Sequence, residues 1–98
     1  GDYGMIVKIE AGVTLPRHSH THDYHGMTIQ GNWVHSYSKG DERLLPPGSY
    51  AFQRGGENHG DRCEGTVDCL ILIHQHGPRD FFPEEDEDNN RKNHKRRW

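Results

Sequence analysis

The chain is poor in the residues that build a large interior. Only 30% of its 98 residues are hydrophobic and its mean hydropathy is -1.10, so one small domain with a thin core is expected. No apolar run approaches the roughly 20 residues of a spanning helix. The longest is Leu70, Ile71, Leu72 and Ile73. No signal peptide is read in the sequence, and neither a membrane nor a nucleic acid is expected as a partner. The formal charge of -3 argues against general binding to a phosphate backbone. Cysteine is scarce as well. Cys63 and Cys69 cannot make a disulfide framework, and they are expected as free buried thiols in a reducing, cytoplasmic setting. Joined with His74 and His76 they give C-x5-C-x4-H-x-H, which matches no common zinc pattern.

Glycine is plentiful at 12 residues, about twice its usual share, and it favours turns and β-structure over helix. The order of short apolar segments agrees. Met5, Ile6, Val7 and Ile9 read as a strand ending at Ala11 and Gly12, and a second short strand runs from Val13 into the histidines. Residues 26–37 are the clearest sheet segment, interrupted at Gly31 and Asn32. Turns are expected at 38–41, at the Pro46–Pro47–Gly48 corner and at 54–58, with strands at 49–53 and from Val67 or Asp68 to His76. No helical period occurs, so the fold class is all-β, sandwich or barrel. From Glu84 the composition changes to acids and then bases, with no apolar residue before Trp98. Residues 84–98 are expected to form a charged, disordered tail to a domain spanning 1–83.

Histidine is the other abundance, nine residues, four of them in the stretch HSHTHDYH from His18 to His25. Residues two apart on a strand share a face, so His18 and His20 can aim two imidazoles at one point, half of a site for zinc, iron, nickel or copper. His25 is placed to return toward them, and a distant strand can bring a fourth ring. His22 is expected to face solvent. His74 and His76 share a face of the last strand, and if that face is inward they are candidates for general base or substrate clamp. Arg54, beside the His59 turn, is a candidate for an anionic substrate group. Trp33, Tyr50, Phe52, Phe81 and Phe82 read as core or interface residues.

These residues fall into a known register. The pattern G-x5-H-x-H-x3/4-E-x6-G appears as Gly12, His18, His20, His25 near the glutamate's place, and Gly31. The pattern G-x5-P-x-G-x2-H-x3-N appears as Gly48, Gly56 and His59, with Arg54 in the place of proline and Cys63 in the place of asparagine. The chain thus resembles a single-domain cupin from about Met5 to Pro83. The variant H-x-H-x4-H-x5-G-x-W, closed by Trp33, is similar to the branch holding the cupin domain of ChrR anti-sigma factors and dihydroxyacetophenone dioxygenase-like proteins. Tyr24 is the alternative occupant of the glutamate position.

That resemblance implies a small antiparallel β-barrel, the double-stranded β-helix or jelly roll, with one divalent transition metal inside. Fe(II) or Zn(II) is the first expectation, and Ni(II), Mn(II) or Cu(II) the others. The implied ligands are His18, His20, His25 and His59. The implied function is a mononuclear dioxygenase-type enzyme acting on a small molecule. The alternatives are a metal-dependent isomerase or lyase, or a zinc-binding sensor that regulates a partner without turnover. A homodimer is expected through strand pairing at 3–9, because a core this thin is marginal alone and open sheet edges invite pairing.

Overall fold

A computed structural model describes residues 3–38 and 40–83, and the charged segment 84–98 lies outside the described residues. The described residues form nine strands and no helix: β1 (Tyr3–Ile9), β2 (Thr14–Ser19), β3 (Tyr24–Gln30), β4 (Asn32–Ser38), β5 (Asp41–Leu45), β6 (Tyr50–Gln53), β7 (His59–Glu64), β8 (Cys69–Gln75) and β9 (Phe82–Pro83). They make two antiparallel sheets, ordered β1-β8-β3-β6 and β5-β4-β7-β2-β9.

Period-two alternation decides which side chains enter the space between the sheets. On β8, Cys69, Ile71, Ile73 and Gln75 are buried while Leu72 and His74 are exposed. On β3, Tyr24, Gly26 and Thr28 turn inward. The apolar core is small, as the composition requires: Ile9, Tyr24, Trp33, Ala51, Cys63, Cys69, Ile71 and Ile73. Trp33 fills its centre at 1% exposure, and it fits because Gly26 has no side chain. A Cβ on Gly26 would lie 2.8 Å from the indole.

Three strands lie outside the sequence reading. β5, β7 and β9 carry no apolar alternation that marks them as strands. β7 reads His-Gly-Asp-Arg-Cys-Glu, yet it is paired on both sides, by β4 and by β2, and buries His59, Asp61 and Cys63. Its inward face is polar, so hydrophobic patterning cannot reveal it.

The cysteines correct a second expectation. Cys63 on β7 and Cys69 on β8 are joined as a disulfide, with Cα atoms 5.7 Å apart, so neither is a free thiol. The loop between their strands crosses from one sheet to the other and brings the two buried side chains together. The bond ties the two sheets together within the buried core, and the ground for a reducing compartment falls away. A bridge closing so short a loop stabilises by roughly 2 kcal/mol in the chain-entropy account. Thiol titration of the denatured, unreduced protein is expected to find no free cysteine. Reduction, or the double substitution Cys63→Ser with Cys69→Ser, is expected to lower the melting temperature by about 5–10 °C. An unchanged melting temperature would show that the bridge does not hold the sheets together.

Candidate metal centre

His18 ends on the buried face of β2, His20 follows just beyond that strand, and His59 opens β7 directly across from His18 in register. The loops on either side are clamped together. The Gly56 amide donates to the His20 carbonyl at 2.7 Å, and the Gly55 amide donates to the Asp23 carboxylate at 2.7 Å. Gly55 itself comes so near the backbone of Thr21 that a Cβ would sit 2.3 Å from the Thr21 carbonyl oxygen. One potential ligand atom from each histidine therefore lies within 4.8 Å of the other two. Ring centroids are 4.9 Å apart for His18 and His20, 4.3 Å for His18 and His59, and 5.1 Å for His20 and His59.

The hydrogen bonds on the far side of each ring fix what faces the centre. His18 Nδ1 donates to the Pro16 carbonyl at 2.7 Å, His59 Nδ1 to the Glu57 carbonyl at 3.2 Å, and His20 Nδ1 to the Asp80 carbonyl. A carbonyl can only accept, so in each neutral ring the proton sits on Nδ1 and the Nε2 lone pair is left bare. Metal-binding histidines carry this same outer support. Asp61 adds a fourth acceptor. Its Oδ1 accepts from Trp33 Nε1 at 2.8 Å and bonds His35 Nδ1 at 2.7 Å. Its Oδ2 lies 3.3 Å from His18 Nε2 and 3.6 Å from His59 Nε2. Lone pairs so close repel unless a cation, whether a proton or a metal, stands between them.

Protons are a poor choice. Burial pushes the His59 imidazole down to about 3, and burial also lowers His18, against the pull of Asp61 on both. Both rings are neutral near pH 7 and ready to act as ligands. Burial alone would raise Asp61, but the hydrogen bond and charge of His35, with His59 and Trp33, hold it below the ordinary carboxylate range. Three such donors, the imidazoles of His18, His20 and His59, fit a borderline divalent ion, with the Asp61 carboxylate close to two of them.

A small hollow of about 30 Å³ lies against His18, His20 and Asp61, walled by Val7, Ile9, Trp33, Ile71 and Ile73 and reached by Tyr24 and Arg79. That is room for one water-sized occupant. Phe81 stacks on His18 with ring centroids 4.5 Å apart, and β9 pairs with His18 and Ser19. Asp80 anchors this strap through its carboxylate, which accepts from the Thr21 amide at 2.8 Å and the Thr21 hydroxyl at 2.5 Å. A larger concavity of about 500 Å³ lies over Thr14, Arg17, Ser36, Gly60 and Arg62 and touches the centre only through Asp61. Its arginines are occupied: Arg17 donates to Ser36 and Asn58, and Arg62 pairs with Glu42 and Glu64. It presents no converging ligands.

The remaining histidines fall elsewhere. His25 is the main departure from the sequence expectation. It follows Tyr24 on β3, so it points to the opposite face and meets Tyr50, Phe52, His74 and His76. His74 and His76 are exposed on that outer face, outside the hollow where a base or clamp would have to stand. Tyr24 takes the inward position, with its hydroxyl 3.5 Å from His59 Nε2. The count from Tyr24 to Gly31 is the unmodified x6 of the motif, which is the signal favouring it over His25. Burial pushes the Tyr24 phenol well above its ordinary value, so it keeps its proton. His35 is fully buried and bridges Asp61 and Gln53, its Nε2 lying 2.8 Å from Gln53 Oε1. Asp61 escaped the sequence reading altogether. Its only signal is its place two residues after His59 on a strand with no apolar pattern. Arg54 is exposed, and Arg79 is the arginine that lines the hollow.

No family model matches the chain, and no curated protein matches it. Solved structures do. A protein with a double-stranded β-helix domain from Klebsiella pneumoniae is 20% identical, with a TM-score of 0.71, over 87% of this chain and 76% of that one. A cupin protein from Bacteroides fragilis is 17% identical, with a TM-score of 0.65, over 76% and 64%. The DMSP lyase DddQ from Ruegeria pomeroyi is 22% identical, with a TM-score of 0.70, over 78% of this chain, which spans only 38% of the lyase. At these identities the likeness shows the fold, and that fold is the cupin-type double-stranded β-helix.

Proposed function

We propose that this chain is a metal-dependent cupin that holds one divalent transition metal through His18, His20 and His59 and acts on a small, oxygen-bearing molecule. One observation carries the reading: three buried imidazoles, each with Nδ1 tied to a backbone carbonyl, bring one ligand atom apiece within 4.8 Å of the other two, beside Asp61. A divalent ion there supplies Lewis acidity and, if redox-active, dioxygen chemistry. The residues of the chain do the rest. Tyr24 keeps its phenolic proton and can donate it as a hydrogen bond to a substrate oxygen. Asp61 and His35 orient the centre, the walls of Trp33, Ile71 and Ile73 exclude water, and Arg79 offers charge to an anionic substrate. Fe(II) dioxygenase chemistry is the finer form of this proposal, with a lyase as the alternative that the likeness to a DMSP lyase supports.

A second reading, a regulatory module of the ChrR type, is favoured by the small hollow and by Phe81 stacked on His18. The two readings part on turnover. Oxygen uptake, or loss of a small hydroxy-ketone or carboxylate substrate, with the iron-loaded protein supports the enzyme. A firmly held ion that supports no turnover with any of them supports the module. For the site itself, His20→Ala and His59→Ala are expected to lose the ion that wild type retains through gel filtration, and Asp61→Asn to weaken it by about 10- to 100-fold. His25→Ala is expected to keep it. Full retention by both His20→Ala and His59→Ala would overturn the centre.

The neutral rings also set a pH dependence. His59 binds its proton at about 3 in the folded chain but at the model-peptide value of 6.5 when unfolded. The unfolded state therefore takes up more protons between those values, so stability is full above pH 6.5 and is lost as pH falls toward 3. His59 alone is expected to destabilise the metal-free protein by roughly 2 kcal/mol at pH 5 relative to pH 7.5. Denaturant titrations at the two pH values measure it, and His59→Gln is expected to flatten the slope. An equal slope in wild type and variant would place the acid sensitivity elsewhere.

The proposal includes a homodimer formed through β1. This strand stands at the edge of its sheet with β8 as its one partner among the described strands, and Ile6 is 62% exposed. Light scattering at micromolar concentration is expected to give twice the chain mass, and a monomer would refute it.

A further inference from the structure

The alternation that turns Tyr24 inward delivers His25 to a face that already carries two imidazoles. His25 stands opposite His74 in the β3–β8 register, and His76 follows His74 by two residues. Ring centroids are 6.1 Å apart for His25 and His74, 5.4 Å for His25 and His76, and 5.3 Å for His74 and His76. A metal about 2.0–2.1 Å from a ring nitrogen lies roughly 3.2 Å from that ring's centroid, so two rings at a tetrahedral angle sit about 5.2 Å apart. Two of the three outer distances match that separation within a few tenths of an ångström. The third exceeds it by less than an ångström; the ring nitrogens are not drawn together as they are at His18, His20 and His59, so an ion must gather the three rings by rotation about their χ angles. The Tyr50 hydroxyl is hydrogen-bonded to His25 Nδ1, which orients the ring and leaves Nε2 for an ion.

We propose that His25, His74 and His76 form a second metal site on the outer face of the first sheet. Imidazole donors select borderline ions such as Zn²⁺, Ni²⁺ and Cu²⁺, and no carboxylate is among these three donors to favour Mg²⁺ or Ca²⁺. The site is independent of the interior centre, since the two open on opposite faces of β3. It is weaker, because its rings are more exposed and the ion must draw them together.

Zn²⁺ titration of tag-free, metal-stripped protein against a chromophoric chelator tests both centres at once. Wild type is expected to bind two ions, one tighter than the other, and to ignore Mg²⁺. His74→Ala and His76→Ala each weaken the second ion by about tenfold or more and leave the first unchanged. His59→Gln removes the tighter ion and leaves the weaker, with His20→Ala serving the same purpose should circular dichroism show that His59→Gln fails to fold. Two ions retained by the His74→Ala, His76→Ala double variant overturn the surface site, as does a single wild-type ion that vanishes with His59→Gln. A single ion that vanishes with His74→Ala sustains the surface site and overturns the interior one. No binding overturns both.

Discussion

The repulsion among acceptors at one buried point is the constraint on which this structure turns. The Nε2 atoms of His18, His20 and His59 draw together with Asp61 Oδ2 close beside His18 and His59, and each group is held from behind by a backbone carbonyl, a tryptophan or another histidine. In a medium that screens poorly, such a cluster is costly without a cation. The strands that bring it together are therefore arranged to hold ligands as much as to bury apolar surface. This explains how β7 can occupy an interior position in its sheet while presenting His59 and Asp61 to the core.

A chain with so little apolar material stabilises its interior by other means. Buried Thr28, His35, Gln53, Asp61 and Gln75 share the space with Trp33 and the isoleucines. The run Trp33, Asp61, His35, Gln53 is hydrogen-bonded from end to end, which is the condition under which buried polar groups rigidify a core. Gln75 Nε2 donates to the Gly77 carbonyl at 2.9 Å. The disulfide between β7 and β8 adds a covalent tie between the two sheets.

β3 shows how one strand can serve two chemistries. Tyr24 and His25 are neighbours, and the pleat sends one into the hollow and the other to a surface lined with Tyr50, Phe52, His74 and His76. A shift of one residue in register would exchange them, placing an imidazole in the centre and a phenol outside. The pairing of Tyr24 with Gln53 and Gln75 settles the choice.

Much of this was legible in the chain itself. Turn residues and short apolar alternations gave the all-β class, and the spacing of His18, His20 and His59 in two motifs pointed to rings that meet in space. Those signals are local or rest on fixed counts between residues, so sequence carries them. The side of β3 on which His25 falls was not legible, because HDYH offers a ligand on either face and only pairing with β6 and β8 fixes which one enters. Asp61 and its strand were hidden because a buried strand with a polar inner face has no hydrophobic period. The cysteines, six residues apart, read as free thiols until the loop between two sheets set their Cα atoms 5.7 Å apart. The sequence by itself determined the fold class and which imidazoles were available. Tertiary structure decided which side chains share a cavity, because that depends on strand pairing between residues far apart in the chain.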